Sequence, residues 1–215
     1  MEFLHYIAAK RQDLLVKAAE HLMLTGVSAA IAVLAGVPLG MLITRWTRLR
    51  GPVLGLAGVV QTVPSIAMLA LLMIPLGLGV RPAIGALLLY ALLPIIRNTY
   101  TGLTGVDHNI IEAADGMGFT RKQRLWMVEL PLAAPVIIAG IRTATVITVG
   151  IATLSAYIGA GGLGDFIVRG LSTGNNSSII LGVMAASAMA LILDFMIGVI
   201  ETCLKKKLHQ ERRET

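Results

Sequence analysis

Charge is what this sequence has least of. Only 14% of its 215 residues are charged and 56% are hydrophobic, whereas an ordinary soluble domain is about a quarter charged. With a mean hydropathy of +0.80, the composition is that of a membrane protein. Cysteine is nearly absent: Cys203 alone cannot form an intrachain disulfide, and no Cys or His spacing suits a metal, so redox and zinc chemistry are excluded. No Gly-Lys pair occurs, which excludes a Walker A loop for ATP phosphates. No Ser-His, paired-carboxylate or metal constellation falls inside the apolar runs, as an intramembrane enzyme would require.

What the chain has instead is long uncharged runs. None of its charges lies between Glu20 and Arg45, Arg50 and Arg81, Arg142 and Asp165, or Arg169 and Asp194, leaving gaps of 24, 30, 22 and 24 residues. Crossing a hydrocarbon core takes roughly 20 apolar residues at about 1.5 Å each, so every gap can hold a spanning helix. The runs are continuous and rich in Leu, Ile, Ala and Gly, unlike the roughly 10-residue alternating segments of outer-membrane barrels. An all-α integral membrane fold follows. A fifth span lies behind Arg97: 15 uncharged residues run from Pro82 to Ile96, and an arginine snorkelling at the boundary lets the helix continue to Thr104. Five transmembrane helices are expected, at about 22–44, 53–77, 83–104, 135–158 and 179–201, in one domain covering 1–215. The segment before the first span is mixed in charge, without the basic start and cleavage site of a signal peptide, so that span is expected to remain in the mature protein.

The net charge of +6 speaks through its distribution, which sets topology and gives no reason to invoke nucleic acid. Thirteen Lys and Arg fall in the first loop, the third connection and the C-terminal tail; five (Lys10, Arg11, Lys17, Arg81 and Arg169) fall on the other side. Since cytoplasmic loops are the positive ones, the N-terminus is expected outside and the C-terminus in the cytoplasm, although three of the five sit close to the first span and dissent mildly.

The longest hydrophilic stretch, within about 106–131, is long for a connection between adjacent helices. Asn109 with Glu112 and Thr120 with Gln123 both read as capping boxes. Two short helices are predicted, with Gly116 and Gly118 supplying the turn between them. The second sets Leu125, Trp126 and Val128 among Arg121, Lys122 and Arg124, and is expected to end at Leu130-Pro131. Such a helix suits either a lipid interface or docking to a protein, since both bury an apolar face rimmed by cations.

The order Glu112-Ala113-Ala114, Gly118, Val128-x-Leu130-Pro131 resembles the EAA signature of ABC-importer permeases, departing only in Val128 where that signature has Ile. The resemblance implies a type I (MetI-like) permease whose loop holds coupling helices seated in a cytoplasmic ATP-binding subunit. That subunit is a separate chain, carrying the ATP and Mg; no cofactor belongs to this one. Gln61-Thr62-Val-Pro64-Ser65, Leu93-Pro94-Ile-Ile-Arg97-Asn98-Thr99-Tyr100, Gly140-Ile-Arg142-Thr143 and Ile158-Gly159-Ala-Gly161-Gly162-Leu-Gly164-Asp165 are similar to the osmoprotectant branch. This implies import of glycine betaine, carnitine or choline across the bacterial cytoplasmic membrane. It also implies a second permease copy or paralogue and a separate extracytoplasmic binding protein. A permease for methionine or another small polar solute is the alternative within the class; an ATP-independent channel or scaffold would leave the loop unexplained.

Several features keep two readings. Gly159-x-Gly161-x-x-Gly164 has the letters of a dinucleotide fingerprint, but it follows a membrane helix and not a strand. With Gly162 and Asp165 it forms an external turn, which the resemblance makes a contact for the binding protein and an outer gate; the alternative is a plain flexible loop. Gly36-x-x-x-Gly40 would let a neighbouring helix approach. Gln61, Thr62, Pro64 and Ser65 put polar groups and a helix break near mid-membrane, either lining a path or forming a kink satisfied within the bundle. Tyr90 and Tyr157 could meet a passing quaternary ammonium by cation–π attraction. Asp194 is an intramembrane acid, functional by default or paired with Arg142 or Arg97 to fix packing. His5, His21, His108 and His209 are expected to be solvated. Lys205, Lys206, Lys207, Arg212 and Arg213 read as a positive-inside anchor able to hold anionic lipid headgroups.

Overall fold

The computed structural model describes residues 2–211, with side chains from 5 to 206. Lys207, His209, Arg212 and Arg213, and with them most of the expected anchor, fall outside the described side chains. All regular structure among the described residues is helical: α1 (Glu2–Arg45), α2 (Thr47–Thr62), α3 (Ser65–Leu76), α4 (Val80–Thr104), α5 (His108–Gly116), α6 (Arg121–Arg124), a π-helical turn (Leu125–Glu129), α7 (Leu130–Ala152), a 3₁₀ segment (Thr153–Ile158), α8 (Gly164–Thr173) and α9 (Asn176–Glu211).

Four stretches are long and apolar enough to cross a membrane: in α1, in α4, from α6 through the 3₁₀ segment, and in α9. The expected second span is instead a pair, α2 and α3, bent by 102° at its break. The cause is Pro64. It has no N–H to continue the ladder, and it drives Val63 into an extended conformation (φ −70°, ψ 128°).

Two other boundaries differ from expectation. Helix α1 does not begin at residue 22; its 44 residues make a rod of about 66 Å, twice a hydrocarbon core. Charges interrupt a hydropathy run without interrupting a helix, and here Lys10–Asp13 (3.0 Å) and Lys17–Glu20 (2.9 Å) pair one turn apart along its flank. Pro131, expected to end the loop's second helix, lies in the first turn of α7. Its ring crowds the carbonyl four residues back, and the preceding turn widens so that the Leu130 N–H reaches the Leu125 carbonyl. The helix passes through unbroken.

Helix α4 is central, with α1 and α7 against it, α2 and α3 on its flank and α9 beyond α7. Small residues bring the backbones together, as the Gly36–Gly40 spacing predicts: a Cβ on Gly40 would lie 2.5 Å from the Thr99 Cβ, and one on Gly140 2.5 Å from the Asn98 Cβ. The outward faces of α3 and α9 stay apolar and exposed, Leu71, Ile74, Leu191, Phe195 and Met196 among them, as suits lipid or another chain.

Candidate functional site

The α4–α7 connection folds as a pinned hairpin. Asp107, and not Asn109, caps α5, its side chain accepting from the Asn109 N–H at 3.0 Å. The second predicted capping box is present: Thr120 Oγ1 accepts from the Gln123 N–H (3.3 Å) and Gln123 Oε1 accepts from the Thr120 N–H (2.9 Å). Arg124 ties the two arms together, donating to both Asp115 oxygens (2.7 and 2.6 Å) and to Glu129 (2.7 Å). Gly118 turns between them at φ +82° with nothing within 4 Å of the place a Cβ would occupy.

Around that turn lies an apolar tip. Met117, Trp126 and Met127 are 72%, 60% and 62% exposed. Glu112 is exposed and pairs with His108 (3.0 Å); Ala113 is exposed, while Ala114 is buried and anchors the tip, its carbonyl accepting from the Phe119 N–H (3.1 Å). Val128 and Leu130 are half-buried and Pro131 exposed. The tip is thus an apolar projection with a cationic rim, its two arms tied together by Arg124.

The bend between α2 and α3 locks onto a second proline. Pro94 within α4 frees the Tyr90 carbonyl four residues earlier, and Gln61 Nε2 donates to it at 3.1 Å. In return the Tyr90 hydroxyl donates to the Val63 carbonyl at the break. Thr62 satisfies the Val59 carbonyl (2.7 Å). Thr62 and Pro64 are exposed, Gln61 and Ser65 half-buried, and Tyr90 is buried in the core while Tyr157 is 55% exposed. Tyr90→Phe should leave the Val63 carbonyl unpaired and destabilise the chain by about 1–2 kcal/mol; an unchanged thermal unfolding midpoint in detergent would show that the bend is held otherwise.

At the opposite end, Gly159, Gly161, Gly162 and Gly164 carry the chain from the 3₁₀ segment into α8, and Asp165 in its first turn pairs with Lys17 (2.6 Å) and Arg169 (3.7 Å). The Gly79 N–H of the α3–α4 turn bonds the Ile158 carbonyl here (2.8 Å). His21, expected to be solvated, is fully buried, with Nε2 3.1 Å from the Val149 carbonyl and Nδ1 accepting from the Leu163 N–H (3.2 Å). Its partners lie 128 and 142 residues away, so no local pattern announces them.

Between α7 and α9, Arg142 makes a two-pronged pair with Asp194 (Nε–Oδ1 and Nη2–Oδ2, both 2.6 Å) and reaches Glu201 at 3.4 Å. Arg97 is exposed and enters no ion pair among the described residues. Glu201, a buried acid that hydropathy counting passes over, joins Lys205 to this ladder. Gly198 makes room for it: a Cβ there would lie 3.0 Å from the guanidinium carbon. Among the described residues no cluster of His, Cys, Asp and Glu could hold a metal.

Residues 32–209 match the family described as binding-protein-dependent transport system inner membrane component. The chain is 48% identical over 191 residues to the glycine betaine/carnitine/choline transport system permease protein OpuCD of Bacillus subtilis (strain 168), covering 87% of this chain and 83% of that one. It is 43% identical to the choline transport system permease protein OpuBB of the same organism (94% and 93% covered). To the osmoprotectant import permease protein OsmW of Salmonella typhimurium it is 41% identical (96% and 99%). Among solved structures, an inward-facing conformation of the MetNI methionine ABC transporter superposes with a TM-score of 0.79 at 25% identity, covering 89% of this chain and 95% of that one.

Proposed function

This chain belongs to the family of binding-protein-dependent transport system inner membrane components, and from that premise we propose that it is the permease subunit of an ATP-driven importer for osmoprotectants of the glycine betaine, carnitine and choline type. It is a multi-pass helical membrane protein and a translocation subunit, not an enzyme. The substrate class is supported by relatives 41–48% identical whose names carry those solutes, and by the runs around Gln61, Pro94, Arg142 and Gly159 that resemble that branch.

The observation that carries the mechanism is the pinned tip at Gly118. In this reading the positive loop faces the cytoplasm, with the N-terminus outside. The tip seats in an ATP-binding subunit, with Glu112, Ala113, Ala114, Gly118, Val128, Leu130 and Pro131 forming the coupling element. Closure of the ATPase pair on ATP pushes the tip, and the α5–α6 hairpin, held by Arg124, passes the movement to α7. Hydrolysis resets it. A second permease copy or a paralogue completes the path against the exposed bend, with Gln61, Thr62, Pro64 and Ser65 toward the passing solute and Tyr157 as the candidate cation–π partner; Tyr90, buried in the core, serves the bend instead. A separate binding protein delivers solute at the Gly159–Asp165 end. Lipid covers what remains.

The test is ATP hydrolysis in proteoliposomes holding this chain, its ATP-binding subunit and its binding protein. Stimulation by glycine betaine, choline or carnitine is expected. Stimulation by methionine alone would refute the substrate and keep the mechanism; none by any solute would refute both.

A further inference from the structure

The end opposite the coupling loop is built around two adjacent residues, Glu20 and His21, that no transport step described above uses. Glu20 Oε2 accepts from the Gly162 N–H at 2.8 Å and from Lys17 Nζ at 2.9 Å. The next residue accepts at Nδ1 from the Leu163 N–H, so the ring proton sits on Nε2 and is donated to the Val149 carbonyl. That carbonyl is available because the helix tightens there: the Thr153 N–H bonds Gly150 instead of reaching back to Val149. One turn of α1 thus caps the end of α7 and the start of the α8 turn together.

The turn is moulded to this pair. Gly161 and Gly162 have φ of +80° and +85°; a Cβ on Gly161 would overlap the Glu20 carboxylate, and one on Gly162 would lie 3.0 Å from His21 Nδ1. His21, Leu24 and Leu163 are all 0% exposed, and Lys17 closes the outer side by bonding both Glu20 and Asp165. At His21 the joint is dry, and separation would strand the Leu163 amide, the Val149 carbonyl and both ring nitrogens at once, while Glu20 and Lys17 form a partly exposed rim around it.

We propose that His21, backed by Glu20, is a positioning residue of the transport cycle: it welds the outer end of α1 to the α7–α8 turn, so that these pieces move as one rigid body. The angular change of gating then falls where the helical ladder is already interrupted, at Val63-Pro64 and at the wide turn 125–129. This rests on the transport reading, and the experiment separates the two.

Lys17→Cys and Asp165→Cys in a Cys203→Ser chain, assembled with ATP-binding subunit and binding protein in proteoliposomes, are bridged by a reducible bis-methanethiosulfonate spacer. Because Asp165 lies in the proposed binding-protein contact, affinity for the binding protein is measured on both forms; at equal affinity, uptake by the bridged transporter should stay within about twofold of the reduced one, as for any pair inside a rigid body, and a block relieved by reductant would overturn the weld. His21→Leu, which keeps volume and removes both bonds, should lower solute-stimulated ATP hydrolysis per assembled complex roughly tenfold with basal hydrolysis unchanged, and His21→Gln should restore part of it. Equal loss of basal and stimulated hydrolysis would mean a merely structural role and refute the positioning one. Amide exchange at Gly162 and Leu163 should be slow with and without ATP; acceleration in either state overturns the proposal. Absence of uptake by the unaltered chain would refute transport itself, and the exchange measurement would then decide the weld alone.

Discussion

Gly118→Asp is expected to lower solute-stimulated ATP hydrolysis and uptake by at least about tenfold, while the chain still inserts and assembles. Two effects combine at this position and can be separated. The backbone at φ +82° disfavours any side chain by about 1–2 kcal/mol, which alone would loosen the tip. Among the described residues nothing beyond the adjoining chain neighbours lies within 4 Å of the added Cβ, so the fold offers no clash there. If a partner's groove fills that space, Gly118→Asn must fail as well, although asparagine tolerates the left-handed region better than most residues. Wild-type uptake by the aspartate variant would sink the proposed role of the loop. Wild-type uptake by the asparagine variant alone would assign the effect to conformation and charge, and not to a filled space.

A different glycine should matter for folding itself. A Cβ on Gly164 would overlap the Thr153 carbonyl oxygen and come within 2.7 Å of its carbon, backbone atoms that no rotamer change can move aside. Gly164→Ala is expected to cost about 3 kcal/mol through overpacking, seen as loss of monodisperse protein in mild detergent. Gly150→Ala, in α7 with open space around it, should be neutral or slightly stabilising by helix propensity. Equal behaviour of the two variants would show that the α8 turn yields under strain.

The contrast between these glycines bears on what could be read in advance. The runs between Glu20 and Arg45 and between Arg169 and Asp194 announced helices because hydrocarbon demands unbroken hydropathy, and the Thr120–Gln123 box was legible because both partners lie within one turn. The start of α1 was not: Lys10 to Glu20 look like the end of a span, yet salt pairs along one flank carry the helix onward. Pro131 looked like a stop, because the remedy for its missing N–H is a wider turn that leaves no mark in composition. The cap falls on Asp107 and not on Asn109, two residues later, because both side chains suit the position and only the backbone register decides between them. His21 looks solvated in the sequence for a deeper reason, since its environment is made by Val149 and Leu163, which only tertiary folding brings near. The chemically richest joint was therefore the least visible one, and the adjacency of Glu20-His21 to the first apolar run, facing a glycine-rich turn far along the chain, was its only trace.

The wide turn at Leu125–Glu129 also sets a phase. Each α-helical residue advances the side chains by about 100°, so one surplus residue in a turn rotates everything before it, relative to everything after it, by roughly that angle. The hairpin tip and the α7 face that packs on α4 are thus clocked independently although one helix joins them. Deleting Val128 would shorten the chain by a single step and leave composition, charge and span length nearly untouched. It would let the turn close as regular α-helix with the tip still facing whatever receives it, whereas closing the turn with every residue retained would swing the tip by about a quarter revolution. The azimuth of the loop, and not only its reach, is written in one residue.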